Sequence, residues 1–164
     1  MPYSIRPYCP ADAASLSETR WQSVRGLGVN AYTRDQITAW LPEREPVSKV
    51  RSHFEDGRRA WVICSEDAPD IALGAVDLEA DGHIDYLYLR PDVAGRGLAG
   101  RLLETAVAAA RADHMARLFS EASELARPVF ECHGFTATHR RDFDLRGVSI
   151  HNYAMVRVLA RGGA

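Results

Sequence analysis

The first third of the chain changes between strand-like and helix-like spacing of its apolar residues. Residues 3–8, "YSIRPY", alternate as a short strand does. Helical spacing follows in three segments, at about residues 11–24, 33–41 and 46–57. Thr33 with Gln36 three residues later is a capping-box signature for the second of these segments. The pattern therefore predicts one strand followed by three helices.

The remaining two thirds predict six more strands and two more helices. Short turns join strand-like segments at about residues 58–66, 71–80 and 83–91, so these strands should pair antiparallel. A helical connection of about 17 residues then leads to "RLFSEAS", which implies that this strand runs parallel to the one before the helix. A short helix, "ELARPVFECHG", and two strands around "RG" at residues 146–147 follow. The predicted order is β-α-α-α-β-β-β-α-β-α-β-β.

Composition and charge exclude several classes of protein. The 164 residues suit a single domain over residues 1–164, and a net charge of −2 gives no basic surface for nucleic acid. Three separated cysteines, Cys9, Cys64 and Cys132, form neither a disulfide framework nor a zinc pattern, and they favour a reducing compartment such as the cytoplasm. The spacing of the histidines predicts no metal site. Neither a signal peptide nor a membrane span is expected.

The segment "GRGLAG" at residues 95–100 is a literal GxGxxG, which raises the possibility of a dinucleotide site. Glu121 lies 21 residues after Gly100, close to where a ribose-binding acid would lie. The segments after Glu121 nevertheless read as one short helix and an antiparallel hairpin, and not as further parallel strands with crossover helices. No Lys-Ser/Thr pair follows the glycines, so an NTPase P-loop is also excluded.

A run of small residues at the start of a helix is well suited to binding an anion. The loop presents successive backbone N–H groups at the N-terminus of the helix, and Arg96 and Arg101 add positive charge. The alternative is a tight glycine turn that packs a helix against the sheet and holds no ligand.

The loop and the order of elements together resemble the GNAT (Gcn5-related N-acetyltransferase) family. The resemblance is carried by "YLYLRPDVAGRGLAGRLL" and "EASELARPVFECHGF", while "AYTRDQITAWLP" and "RGVSIHNYAMVRVL" look like one bacterial subgroup that acetylates small molecules or proteins. It implies an α/β (α+β) fold with a mixed, mostly antiparallel sheet of six to seven strands, one central parallel pair and flanking helices. It also implies transfer of acetyl from acetyl-CoA to a primary amine of a small molecule or peptide, by direct attack in a ternary complex, in a possible homodimer.

The resemblance also implies which residues hold the cofactor. Main-chain groups of Leu87, Tyr88 and Leu89 would pair with the pantetheine arm as a strand edge does. The diphosphate would lie on the loop residues Gly95, Arg96, Gly97, Leu98, Ala99 and Gly100, with Arg101 beside them. Ala94 replaces a Gln or Arg that is common in the family. Ser123 occupies the position of a pantetheine-binding Asn and keeps a hydroxyl.

The resemblance identifies the catalytic residues less directly than the cofactor-binding residues. The family often places a base at the start of the central strand, where period two puts His83 and Asp85 on one face. His83 could equally be a polar residue after a glycine turn, and Glu121 is a third candidate. Phe130 stands where many members have a Tyr acid, so Tyr153, Cys132 or no acid at all would serve.

By the same analogy, aromatic and amide residues of the early helices and the last hairpin would line the acceptor site. The candidates are Trp21, Tyr32, Trp40, Asn152 and Tyr153. An aromatic lining favours flat or cationic acceptors. Because Phe130 has no acidic proton to give to the leaving thiolate, the alternative function is an acyl-CoA-binding or sensing module with little catalysis.

Overall fold

The computed structural model describes residues 2–160. Its strands and helices follow in the predicted order: β1 (Tyr3–Pro7), α1 (Ala13–Leu27), α2 (Arg34–Trp40), α3 (Val47–Phe54), β2 (Arg59–Ser65), β3 (Gly74–Leu78), β4 (Leu87–Leu89), α4 (Leu98–Ala112), β5 (Arg117–Ala122), α5 (Arg127–Cys132), β6 (Thr136–Leu145) and β7 (Val148–Val158). The capping box at Thr33 begins α2 as predicted.

The strands form two antiparallel units that meet at one place. The first has the order β1-β2-β3-β4 and the second the order β5-β7-β6. They are joined by a parallel bridge between His83 and Phe119, where the Ile84 amide donates to the Phe119 carbonyl at 2.9 Å and the Phe119 amide to the Gly82 carbonyl at 3.1 Å. The predicted central parallel pair is therefore present, but it is short.

Helices cover both faces of the first unit because each presents an apolar stripe. Helix α4 buries Leu102, Leu103 and Ala106 against β2 and β3. Helices α1 and α3 pack on the opposite face, where Leu16 and Phe54 belong to a second apolar cluster. Together these layers fix the position of β4 from both sides. No helix within residues 2–160 has the length and apolar content needed to cross a membrane.

A β-bulge interrupts the extended segment at residues 83–86, which leads into β4. The Asp77 amide donates to the Tyr86 carbonyl and the Glu79 amide to the His83 carbonyl, so this strand has one residue more than β3. The buried Asp77 carboxylate stabilises the bulge, since one of its oxygens accepts from the amides of both Asp85 and Tyr86 at 2.8 Å. Asp85 and Tyr86 therefore lie side by side opposite Asp77.

Candidate functional site

Beyond the parallel bridge, β4 and β5 separate and leave one edge of β4 unpaired. The Tyr86 carbonyl and the Arg90 amide bond toward β3. Because main-chain groups alternate in direction along a strand, Leu87 and Leu89 point their amides and carbonyls into the gap toward β5. Tyr88 differs from its neighbours, since its main chain faces β3. This edge can pair with an extended, amide-bearing ligand.

The glycine loop lies at the end of the same strand and is open toward solvent. Gly95 and Gly97 have φ of +75° and +74°, and a Cβ at either position would meet no atom within 4 Å. Gly97 caps α4, whose first amides, from Leu98 to Gly100, have no acceptor within the helix. The loop thus presents donors and a helix N-terminus to a site that an anion can occupy.

The two arginines of the loop are held by the first strand. Arg96 donates to the Tyr3 hydroxyl at 3.1 Å and to the Asp92 carbonyl at 3.3 Å, and Arg101 donates to the Tyr3 carbonyl at 3.0 Å. Both side chains are exposed beside the loop. Gly100 has a different role, because a Cβ there would lie 2.6 Å from the His133 ring and would separate α4 from α5.

Ser123 and Phe130 lie where β5 passes into α5. The Ser123 hydroxyl accepts from the Ala126 amide at 3.1 Å, which begins the turn before the helix. The ring of Phe130 is 1% exposed and packs edge-on against Phe135. Both residues line the central cleft. Phe130 brings no group that can donate a proton.

The central cleft has a volume of about 310 Å³ and lies on the side of β4 that faces α1 and α3. Of the residues predicted for catalysis, cofactor or acceptor, it brings together Asp85, Leu87, Tyr88, Ser123, Phe130, Tyr32, Trp40 and Asn152. Glu121 lines it as well, while His83, Tyr153 and Trp21 do not. Sequence reasoning missed three charged side chains of its walls, Arg20, Glu45 and Lys49, and two histidines, His53 and His151.

His83 is held between two carboxylates. Its Nδ1 lies 2.9 Å from Glu79 and its Nε2 lies 2.6 Å from Glu121. Burial of the imidazole disfavours its charged form, but the hydrogen bonds to Glu121 and Glu79 outweigh burial and raise the pKa of His83. Both ring nitrogens are therefore engaged, and the protonated form is favoured.

The raised pKa of His83 gives a pH dependence of stability. A folded-state pKa above the unfolded value of about 6.5 stabilises the protein below that pH, and the contribution is lost as pH rises through the folded pKa. We expect His83→Gln to reduce the free energy of unfolding more at pH 6 than at pH 9, as measured by urea denaturation. The exposed His139 on β6, changed to Gln, is the control. A loss that is equal at both pH values would contradict the assignment.

Asp85 stands in a group of charged residues at the bulge. Its carboxylate is 49% exposed, 3.7 Å from Arg58 Nη1 and 4.0 Å from His53 Nδ1. The other nitrogen of His53 lies 2.9 Å from Asp77. Ligand atoms of His53, Asp77 and Asp85 come within 4.8 Å of one another, as metal ligands do. However, Arg58 Nη1 is only 2.6 Å from the same Asp77 oxygen and already supplies positive charge there.

Tyr153 belongs to a second polar group, of which Tyr32 and His151 line the cleft and Tyr153 does not. Its hydroxyl bonds to Glu124, which raises the pKa of the phenol, and Arg127 lies 4.3 Å from its ring. Glu124 also contacts His151 at 2.6 Å, and the Tyr32 hydroxyl joins the Glu124 amide to the His151 carbonyl. This group fixes the turn after β5 to β7.

The other two predicted side chains also lie elsewhere. Cys132 is exposed on α5 and is not among the residues that line the cleft. Trp21 lines a separate shallow depression, where Arg25 lies 3.9 Å from its ring.

Comparisons with known proteins agree with this architecture. Residues 29–157 match the family model described as "Acetyltransferase (GNAT) domain". The uncharacterized N-acetyltransferase YafP of Escherichia coli (strain K12) is 26% identical over 151 residues, which are 92% of this chain and 93% of that protein.

Solved structures show the same fold. A GCN5-related N-acetyltransferase from Rhodopseudomonas palustris has a TM-score of 0.86 at 26% identity and covers 97% of both chains. The putative acetyltransferase yncA from Salmonella typhimurium, solved with its cofactor acetyl-CoA, has a TM-score of 0.76 at 17% identity, over 100% of this chain and 98% of that one. The family resemblance and the predicted fold are thereby confirmed, and the chain belongs to the GNAT family of acetyltransferases.

Proposed function

We propose that this chain acts as one catalytic domain that transfers the acetyl group of acetyl-CoA to a primary amine in a ternary complex. The observation that carries the proposal is the unpaired edge at Leu87 and Leu89, which runs directly into an open glycine loop at the start of α4. An extended arm with a diphosphate at one end matches this arrangement. Structures of yncA with acetyl-CoA and of PaiA from Thermoplasma acidophilum with coenzyme A support this choice of cosubstrate.

The open edge also supplies the electrostatic part of catalysis. With pantetheine along β4, the Leu87 amide donates to the thioester oxygen, where negative charge develops as the amine attacks. The diphosphate lies on the amides from Gly95 to Gly100, with Arg96 and Arg101 beside it. Ser123 provides a hydroxyl on the opposite side of the arm.

Asp85 is the base that this arrangement favours. It lines the cleft, is half exposed, and precedes Leu87 by two residues, which is roughly 7 Å along a strand. A water molecule between the carboxylate and the attacking nitrogen would relay the proton. His83 does not line the cleft, and we assign it a supporting role: its charge orients Glu121 at the cleft wall.

The chemical step needs no further cosubstrate. The neutral amine attacks the thioester carbon, the C–N bond forms and the C–S bond breaks. The amine proton passes through water to Asp85, and CoA leaves as a thiolate. Phe130 has no proton to give, and Tyr153 bonds to Glu124 outside the cleft lining, so we propose that no side chain protonates the leaving group. A thiol of pKa near 8.5 is already a good leaving group.

Release of free thiol from acetyl-CoA in the presence of a panel of amines tests the proposed function. Lys49 is the one lysine of the chain, so self-acetylation can consume only two equivalents, counting the terminal amine. We expect multiple turnovers with the best acceptor, and calorimetric binding of acetyl-CoA without any acceptor. Binding with no turnover over the whole panel would favour the alternative, a binding or sensing module.

The free thiols Cys9, Cys64 and Cys132 support a reducing compartment, the cytoplasm.

A further inference from the structure

Arg20 on α1 is an unusual residue for the wall of a small cleft. Its guanidinium lies 5.3 Å from the Tyr88 ring, and its Nη1 bonds to Glu45 at 2.6 Å. Its Nε is buried without a hydrogen-bond partner, and its Nη2 has none among residues 2–160. A buried donor without an acceptor is costly, because its hydration has been lost and not replaced.

Two other arginines share one of these features but not their combination. Arg25 and Arg127 also bury an unpaired Nε. Arg25 faces the shallow depression on the other side of α1 and donates to the carbonyls of residues 41 and 42. The Nε of Arg127 lies 3.7 Å from Glu131. Of the three, Arg20 is the one that lines the central cleft.

The wall around Arg20 carries an excess of positive charge. Glu45 is its one carboxylate, and it serves both Arg20, at 2.6 Å, and Lys49, at 3.3 Å. Burial opposes the charge on Arg20, but Tyr88 and Glu45 hold the pKa of its guanidinium above the ordinary value, so it stays charged. The carboxylates of Asp85 and Glu121 also line the cleft, and their ion-pair partners are Arg58, His53 and His83, not Arg20 or Lys49. The cleft therefore carries a basic group at Arg20 and a separate acidic group at Asp85 and Glu121.

We propose that the acceptor is a small amine that also carries a carboxylate, an amino acid in the broad sense, and that Arg20 binds this carboxylate through its free Nε and Nη2 donors. The inference rests on the proposed function and names the substrate class. Two parallel N–H groups match a carboxylate in geometry. The reacting nitrogen then lies toward Asp85, and Lys49 at the rim adds charge that steers the acceptor.

The position of Arg20 also limits the acceptor in two ways. Leu87, at the thioester, directly precedes Tyr88, over which Arg20 lies, so only a short spacer fits between amine and carboxylate. In addition, the ring of Tyr88 already faces the protein's own cation. The cationic acceptors that an aromatic lining favours therefore find this ring occupied. Tyr32 and Trp40, 5.6 Å apart, leave an aromatic surface for the acceptor's side chain.

A panel of matched acceptors tests this inference. The probes are α-, β- and γ-amino acids, the carboxamide of each, and amines without an acid group, such as phenethylamine and spermidine. We expect the best amino acid to exceed its carboxamide by about 10- to 100-fold in kcat/KM, as charge-assisted hydrogen bonds allow. Arg20→Met should reduce this preference to within about threefold and leave acetyl-CoA binding by calorimetry intact. Arg25→Met, on the same helix and also stacked on an aromatic ring, is the control and should keep the preference.

Three results would overturn the inference. The carboxamide or a plain amine could be the best acceptor, Arg20→Met could lower kcat/KM equally for acid and amide, or Arg25→Met could abolish the preference as well. If acetyl-CoA binds but no amine is turned over, the proposed function is wrong. In that case calorimetry with the N-acetyl amino acids and their amides still tests the subsite. Binding of the acid that Arg20→Met abolishes would support it, and equal binding of acid and amide would reject it.

Discussion

Replacing Gly97 by Asp is expected to weaken acetyl-CoA binding by about 100-fold, because it places a negative charge in the loop that holds the diphosphate. Gly97 caps α4 with φ of +74°, and a Cβ built there meets no protein atom within 4 Å. The new carboxylate therefore projects into the ligand's space, next to the amides of Leu98 and Ala99. Calorimetric titration with acetyl-CoA measures the effect.

Gly97→Asn is the matched control for this variant. Asn has nearly the same shape as Asp and tolerates a positive φ as well as any residue other than glycine does. We expect about a 10-fold loss of affinity from its bulk alone, with similar melting temperatures for the two variants. If both variants bind acetyl-CoA as tightly as the parent protein, the diphosphate does not lie on this loop.

Asp85→Asn is expected to lower kcat by about 100-fold, which is at the lower end of what a general base contributes. The amide cannot accept the amine's proton but keeps the size of the carboxylate. The KM for acetyl-CoA should stay within about twofold, since Asp85 lies on the acceptor side of β4.

Two companion variants make the result of Asp85→Asn specific. Asp142→Asn removes an exposed carboxylate on β6 that pairs with Arg140, and it should leave the rate unchanged. Glu121→Gln tests a second carboxylate of the cleft, the one beyond the parallel bridge on β5. If Glu121→Gln lowers kcat and Asp85→Asn does not, Glu121 is the base and the assignment of Asp85 is wrong.

The prediction of elements succeeded because its signals are local. The capping box at Thr33, Gly26 and Gly28 near the end of α1, and the turn at residues 146–147 act within a few residues of the chain. The loop "GRGLAG" is likewise local, since a cap and two positive-φ glycines are specified by the residues themselves. Period two also placed His83 and Asp85 in one charged group, because His83 contacts Glu79, and both Glu79 and Asp85 lie within 4 Å of Arg58.

The catalytic and acceptor residues were harder to predict because they depend on contacts between distant segments. The half-exposed position of Asp85 depends on the bulge, which the carboxylate of Asp77 holds from the neighbouring strand. Tyr153 looks like a candidate acid on its strand, yet the turn after β5 brings Glu124 to its hydroxyl.

The amino-acid sequence by itself determined the order of strands and helices, the family, and the loop for an anion, because spacing, caps and glycines act on neighbouring residues. The tertiary structure alone decided where β4 and β5 separate, and which charges face the resulting cleft. Arg20, Lys49 and His53 occupy helices where polar residues ordinarily face solvent. Only the packing of α1 and α3 against β4 turns these three side chains toward the site.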